Sequence, residues 1–356
     1  MIESKNNDKK NKFNIKEIMK NGLLVYQANK DNVFNIGDYI QSLAAAQFFN
    51  NEIDVYINRE FLDEYSGDET KLIMNGWFMH QPKHWPPSSK IHPLFVSFHM
   101  NSLAKEEMLK EESIQYFKKH EPIGCRDYDT ILLLRSKGVD AYFTGCMTLT
   151  LGKYYKSTSE NKQGIYFVDA YYQTSRKLSD VLRMSLLLLT KYNLISKISK
   201  KARGSKSIRN LLSYSFFYSS YSKIFTDEVL LDAEYILQEI PDTFASNEEK
   251  FNYAKSLLKK YSEAKFVVTS RIHAALPCLA IETPVLYVEN VNQPEVSYCR
   301  LNGLRELFNV VTYDKGIMKI DFINVKISKN TIFKNKEDYK LLKKKLITIC
   351  EQFINS

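Results

Sequence analysis

From Leu23 onward the chain alternates short apolar runs with stretches whose hydrophobic positions recur at helical spacing. LLVYQA (23–28) predicts a strand, and residues 38–49 predict a helix with Asp38 as its cap and Gln41 at capping-box spacing. IDVYINR, LIMNGW and PLFVSFHM continue the strand series. PIGCR (122–126) adds a short strand, after which Asp127 caps a helix that Gly138 ends. VDAYF and GIYFVDAY are further strands. Ser246 and Glu249 open an amphipathic helix reaching about Glu263, followed by KFVVTS, a helix starting at Arg271, VLYVE and VVTYD. The last helix sets Tyr339, Leu342, Leu346, Ile349 and Phe353 on one face and turns Lys340, Lys343, Lys344 and Lys345 away.

Strands separated by helices imply parallel sheets joined by right-handed crossovers, so the expected fold class is doubly wound α/β. A length of 356 residues accommodates two such units. The expected organisation is a polar extension at 1–20, one unit at 21–155, a second at 156–335 carrying an insert at 175–225, and a terminal amphipathic helix at 336–356. The boundary is placed near residues 152–163, where KYYKSTSENKQG is polar and turn-rich.

Composition narrows the class. Hydrophobic residues make up 44% of the chain and the mean hydropathy is −0.34, which describes a soluble globular protein. MIESKNNDKKNKFN is too polar for a secretory signal, and the longest apolar run, from Leu186 to Leu189, is too short to span a bilayer. The five cysteines are scattered without a CxxC pair and read as reduced thiols in a cytoplasmic protein. The net charge of +9 changes meaning once located. Residues 175–225 hold eleven Lys/Arg against one acid, Asp180, leaving 39 basic and 40 acidic residues elsewhere. A nucleic-acid-binding surface is therefore not expected.

Candidate chemistry gathers where strands hand over to helices, the place where open α/β sheets bind ligands. After KFVVTS come Ser270, Arg271 and His273. The first turn of a helix favours a carboxylate or phosphate. Arg271 adds a planar fork for an oxyanion, and His273 titrates near neutrality and can move a proton. PIGCRDYDT repeats the design with Arg126, Asp127 and Thr130. In NIGDYIQ, Gly37 permits close backbone approach and Asp38 faces the same side. Each site also has a purely structural reading: a salt-bridged Arg, a satisfied His, a capping Asp.

Together these stretches resemble the polysaccharide pyruvyl transferase family. The NxGD-type turn (Asn35, Gly37, Asp38), the RDxxT turn (Arg126, Asp127, Thr130) and SRIH (Ser270 to His273) stand in that family's order and spacing, and CRLNGLREL, with Gly303 and Leu304, suits its Gly-Leu tail. The resemblance covers residues 21–313. It implies two Rossmann-like domains, acceptor-side and then donor-side, in a glycosyltransferase-B-like arrangement with the active site in the interdomain cleft. It also implies transfer of the enolpyruvyl unit of phosphoenolpyruvate onto two hydroxyls of a sugar in an exopolysaccharide, capsule or cell-wall glycan precursor. Arg126, Arg271 and His273 then become the catalytic residues, with Ser270, Asn292 and Gln293 beside the donor. No metal and no cofactor beyond the co-substrate phosphoenolpyruvate is expected. One departure stands out: many family members carry a Lys twenty residues after the His, where this chain has Gln293.

For the acceptor, Asn35, Gly37, Asp38, Trp77, Trp85, His99 and Asn101 are the candidates, since aromatic faces pack on sugar rings and Asn or His bonds hydroxyls. His80 and His84 have the spacing of a helical metal pair, but Pro82, Pro86 and Pro87 deny the helix. The segment bounded by Arg176 and Lys223 has Leu178, Val181, Leu182, Leu188, Leu189, Tyr192 and Ile195 at helical spacing. It reads either as a helical insertion packed on its own domain or as a peripheral contact with the inner face of the membrane, where a lipid-diphosphate-linked acceptor would lie. Two other functions fit the same architecture: a glycosyltransferase using a nucleotide sugar, and a non-catalytic protein that binds a glycan or lipid carrier.

Overall fold

The structure, a computed structural model, describes residues 19–157, 162–293 and 301–356. In chain order, β1 (Lys20–Val25) and β2 (Val33–Asn35) precede helix α1 (Ile36–Ala46), then β3 (Val55–Asn58), β4 (Thr70–Phe78) and β5 (Ile91–Met100). Short helices α2 (Lys105–Met108) and α3 (Glu111–Lys119) lead to β6 (Ile123–Cys125), α4 (Tyr128–Arg135) and β7 (Ala141–Phe143). Six of these strands form one parallel sheet in the order β3-β1-β4-β5-β6-β7.

Helix α5 (Gly152–Tyr155) closes the first half, and β8 (Ile165–Val168) begins the second. A helical hairpin of α6 (Leu178–Arg203) and α7 (Ile208–Tyr221) follows, then α8 (Asp227–Asp232), β9 (Glu234–Ile236) and β10 (Glu239–Pro241). The rest is α9 (Asn247–Glu263), β11 (Phe266–Thr269), α10 (Ile272–Ala280), β12 (Val285–Asn290), β13 (Asn309–Asp314), β14 (Ile317–Ile320) and α11 (Tyr339–Asn355). The second sheet runs β14-β13-β12-β11-β8-β9 and is parallel except for the edge strand β14. Both sheets share one winding pattern: the second strand in sequence lies outside the first, and the later strands extend the other way. No sequence repeat announces this symmetry.

The central strands are apolar on both faces, as helix-covered parallel sheets require: all of FVVT in β11 and of IYFV in β8 is buried. Helix α1 is buried along nearly its whole length because it lies between the first sheet, α9 and α10. Its run of Ala44, Ala45 and Ala46 lets these neighbours approach closely. Beyond the second sheet, α6 and α7 cover its outer face through Leu188, Ile195, Ile198, Phe217 and Tyr221. The last helix returns to the first half, packing on β5 and on residues 47–49 and 147–150. There Lys71 Nζ donates to the carbonyls of Phe353 and Ile354, at 3.3 and 3.1 Å.

Two expectations are corrected here. The helix expected at 38–49 starts earlier, and its cap is Asn35, whose Oδ1 accepts from Gly37 N at 2.9 Å, so Asp38 lies inside the first turn. The physical reason is a strand that periodicity was too short to show. β2 pairs antiparallel with β10 from the second half, and Ile36 N donates to Gln238 O at 2.9 Å, which fixes where the helix begins. Residues 1–18 of the extension expected at 1–20, and 158–161 of the expected boundary, lie outside the described residues, and Lys20 already belongs to β1.

Gly152 marks another close approach between the halves. A Cβ there would overlap the Ala280 carbonyl and sit 2.8 Å from Lys343 Nζ. Gly152→Ala is therefore expected to lower stability by about 1–3 kcal/mol. Urea unfolding checks this: the midpoint should fall at unchanged slope, and an unshifted midpoint would show that the two halves give way at no cost.

Candidate active site

The carboxyl ends of strands from both sheets open onto one cavity of about 290 Å³. From the first half come Asn35 and Asp38 at the start of α1, Arg59 after β3, Trp77 and His80 at the end of β4, and Arg126 after β6. From the second half come Gln238, Ser270, Arg271, His273, Tyr287 and Gln293. A larger cavity of about 520 Å³ adjoins it, sharing Ser270, Arg271, Tyr287 and Gln293, and is walled by Tyr171, Tyr172, Arg203, Tyr214 and Phe217.

His273 is buried in the first turn of α10 and meets α1 at its start. A Cβ on Gly37 would stand 2.9 Å from His273 Cβ and 3.0 Å from its Nδ1. Glycine is required there for space, because any side chain would push the imidazole away. The His273 carbonyl accepts from Gln238 Nε2 at 3.2 Å, which ties α10 to the segment entering β10.

Arg126 is 1% exposed and among the largest fully buried side chains. Its backbone is held by the Phe98 carbonyl at 2.8 Å. Nε and Nη1 of its guanidinium have no hydrogen-bond partner among the described residues. Asp127 beside it is committed elsewhere: Oδ1 accepts from Thr130 N and Thr130 Oγ1, both at 2.9 Å, and Oδ2 lies 2.6 Å from His99 Nδ1. Burial alone would raise the Asp127 pKa, but His99, Arg126 and the Thr130 N–H outweigh it and hold the carboxyl below the usual range. A buried cation with open donors at a cavity wall is suited to an anionic ligand.

Arg59 was not among the candidates from sequence. It is buried, stacks over Tyr26 and Trp77 with its guanidinium carbon 4.7 and 5.1 Å from the ring centroids, and donates to Glu60 Oε1 at 2.9 Å. Its Nη1 is 3.6 Å from Asp38 Oδ2. Glu60 in turn accepts from the N–H groups of His80 and Gln81, which holds the loop after β4 in place. Burial raises the Asp38 pKa above the ordinary carboxyl value, although Arg59, Arg126 and His80 pull it back. The signal for Arg59 was present, since it ends a strand as Arg126 does.

Arg271 is not an open clamp. Its Nε donates to Asp169 Oδ2 and its Nη1 to Glu239 Oε1, both at 2.9 Å, so two carboxylates already engage the fork. Burial opposes its charge, and those two carboxylates more than compensate, raising its pKa. Ser270 Oγ donates to the Asp169 carbonyl. Both side chains still line the two cavities, but Arg271 also braces β10 against β8, a duty with no local signal around residue 271.

Several acceptor candidates lie elsewhere. Trp85 is packed in an aromatic cluster with Phe78, Phe98 and Phe117. Asn101 Nδ2 donates to the Met79 carbonyl while its Oδ1 accepts from Leu103 N, so its amide organises a turn. His99 is buried behind Asp127, away from the cavity lining. Asn292 donates to Asp314 on the exposed rim, and it is Gln293 that reaches the cavity. His84 pairs with Asp63 at 2.9 Å, whereas His80 stacks on Trp77, so these two histidines do not converge.

The family model for polysaccharide pyruvyl transferase matches residues 35–292. The chain belongs to that family. The match begins at the Asn35 cap and takes in Arg126, the Ser270–His273 turn and the hairpin of α6 and α7. Membership makes the protein a pyruvyl transferase of polysaccharide biosynthesis. No curated protein matches the chain. Among solved structures it is similar to a functionally uncharacterised protein from Klebsiella pneumoniae, at 15% identity and a TM-score of 0.39, with 80% of this chain and 88% of that chain covered.

The raised Asp38 pKa has a testable sign. Its stabilising share is complete below the unfolded carboxyl pKa of about 4 and is lost as pH rises through the folded value. Asp38→Asn removes that dependence. The variant is expected to gain on the parent between pH 4 and 7, ending roughly 2 °C higher in melting temperature. Thermal unfolding across that range checks it; a gap that shrinks with rising pH would mean the carboxylate is stabilised by Arg59 more than burial opposes it.

Proposed function

We propose that this pyruvyl transferase uses phosphoenolpyruvate as donor and builds a cyclic ketal on two hydroxyls of a sugar in a surface-glycan precursor. The observation that carries the reading is Arg126, a buried guanidinium with open donors at the wall of a cavity that also contains His273 and Arg59. Phosphoenolpyruvate carries a carboxylate and a phosphate, and Arg126 with the first turn of α10 is suited to hold one of them. On this reading the two sheets are the cores of two Rossmann-like domains in a glycosyltransferase-B-like arrangement, with the cavity between them as the active site. The donor is a cytoplasmic metabolite, which puts the reaction in the cytoplasm.

The chemistry assigns each group a task. A proton from His273 adds to the methylene carbon, which becomes the methyl group, and C2 becomes electrophilic. One sugar hydroxyl attacks C2, the C2–O bond to phosphate breaks, and the second hydroxyl closes the ketal. The two hydroxyl protons balance the one given to carbon and the one taken by phosphate. Arg126 stabilises the leaving phosphate, its fixed charge strengthened by burial. Gln293 adds a neutral amide where many relatives have a cation, so more of the phosphate charge falls on Arg126. Trp77, Asn35 and Asp38 face the acceptor. A second reading, a glycosyltransferase with a nucleotide-sugar donor, is favoured by the aromatic walls of the adjoining 520 Å³ cavity.

The released product separates the two: inorganic phosphate from phosphoenolpyruvate, or nucleoside diphosphate from a nucleotide sugar. Arg126→Met is expected to cut kcat/KM for phosphoenolpyruvate by about 10³-fold or more while the fold keeps or gains stability, because a buried unpaired charge is removed. Retained donor binding in that variant would overturn the donor assignment. His273→Gln should hold donor affinity within several-fold and lower kcat by about 10²-fold, with loss of the alkaline limb of the pH profile. Weakened binding with kcat intact would make His273 a contact and not the acid.

A further inference from the structure

Helix α6 carries an apolar face that nothing among the described residues covers. Leu178, Leu182, Leu186 and Leu189 are 73, 62, 64 and 78% exposed, and they recur every three or four residues, on one side of the helix. The opposite side is used for packing, through the buried Met184 and Leu188. Tyr192 continues the exposed side, and Ile208 at the start of α7 lies in the open as well. Lys191 breaks the helix with non-helical torsions of −121° and 24°, so the leucine-bearing half forms a segment of its own. Exposed leucines in a row are costly in water and mark a contact surface.

Charge identifies the partner. The eleven Lys/Arg of residues 175–225 face a single acid, while the rest of the chain is almost neutral. Arg176, Lys177, Arg183, Lys197, Lys200 and Lys206 on this hairpin are exposed. A second copy of the chain would bring the same positive hairpins together, which opposes self-association. No helix among the described residues is long and apolar enough to cross a membrane, so the segment is suited to lie on one. We propose that the α6 face bearing Leu178, Leu182, Leu186 and Leu189 docks on an anionic lipid surface, with the flanking lysines and arginines set against the headgroups.

The same hairpin reaches the catalytic region. Ala202 and Arg203 at the end of α6, with Tyr214 and Phe217 of α7, wall the 520 Å³ cavity that opens onto Arg271 and Gln293. Docking would hold that cavity near the lipid surface, giving an acceptor carried there a short path to the site. The docking itself does not depend on which donor the enzyme uses, and its test reads no activity.

The full chain is incubated with vesicles of phosphatidylcholine containing phosphatidylglycerol, and with vesicles of phosphatidylcholine alone, then sedimented. Binding to the anionic vesicles is expected to exceed binding to the neutral ones at least tenfold at low salt and to fall as salt screens the charges. Leu182→Ser, Leu186→Ser and Leu189→Ser combined should lower it at least tenfold with the melting temperature unchanged. Lys197→Glu, Lys200→Glu and Lys206→Glu combined should abolish the preference for anionic vesicles. Absence of binding at low salt overturns the proposal, as does binding that survives the serine variant. A dimer that the serine variant dissociates, without vesicle binding, also overturns it and makes the face a contact between copies.

Discussion

The start of α1 clasps the second half, because Gly37 presents no side chain to His273 and Ile36 N reaches the Gln238 carbonyl. The three pairings of β2 with β10 hold that contact in register. Position follows from it on both sides. The Asn35 cap sets the helix start, the helix start sets Asp38 against Arg59, and Gln238 fixes the backbone of His273. A shift of the clasp would move the imidazole, the carboxylate and the arginines relative to one another, and a site built from two sheets tolerates little of that.

Three arginines around one cavity have different electrostatic standing. Arg271 is neutralised by Asp169 and Glu239, and Arg59 by Glu60 with Asp38 beyond it. Of the three, Arg126 has no carboxylate in contact among the described residues, since Asp127 is turned to Thr130 and His99; Arg59 Nη1 also lacks a hydrogen bond but lies 3.6 Å from Asp38 Oδ2. Two cations therefore brace the walls and the third is left for a ligand. Attraction for an anion is concentrated at Arg126 because burial weakens screening there.

Much of this was legible from the chain, and the losses have physical causes. Long apolar runs such as KFVVTS and GIYFVDAY gave their strands directly, because strands buried on both faces need no alternation. Ser246 and Asp127 were read correctly as caps, each accepting from the N–H three residues on. The three-residue strands β2 and β10 were not legible, since neither is long enough to show a period and each exists only through the other. That loss carried the cap error at Asp38 with it. Strand-end logic brought Asn35, Asp38, Arg126, Ser270, Arg271 and His273 to one cavity and would also have caught Arg59. It could not separate Trp77, at the cavity, from Trp85, in the core, because aromatic residues after a strand serve either purpose. Nor could it foresee that Arg271 would meet carboxylates from positions 169 and 239, far away in sequence.

The return of α11 to the first half has a consequence for how the chain is made. Residues 147–150 and 47–49, together with β5, obtain cover from a helix that is translated after the whole second sheet. Lys71 likewise finds its carbonyl partners only at Phe353 and Ile354. The amino-terminal half emerges first from the ribosome, yet it stays unfinished until α11 has been released as well. A nascent chain thus carries an open apolar flank for the whole time its second half is being translated, and α11 seals it.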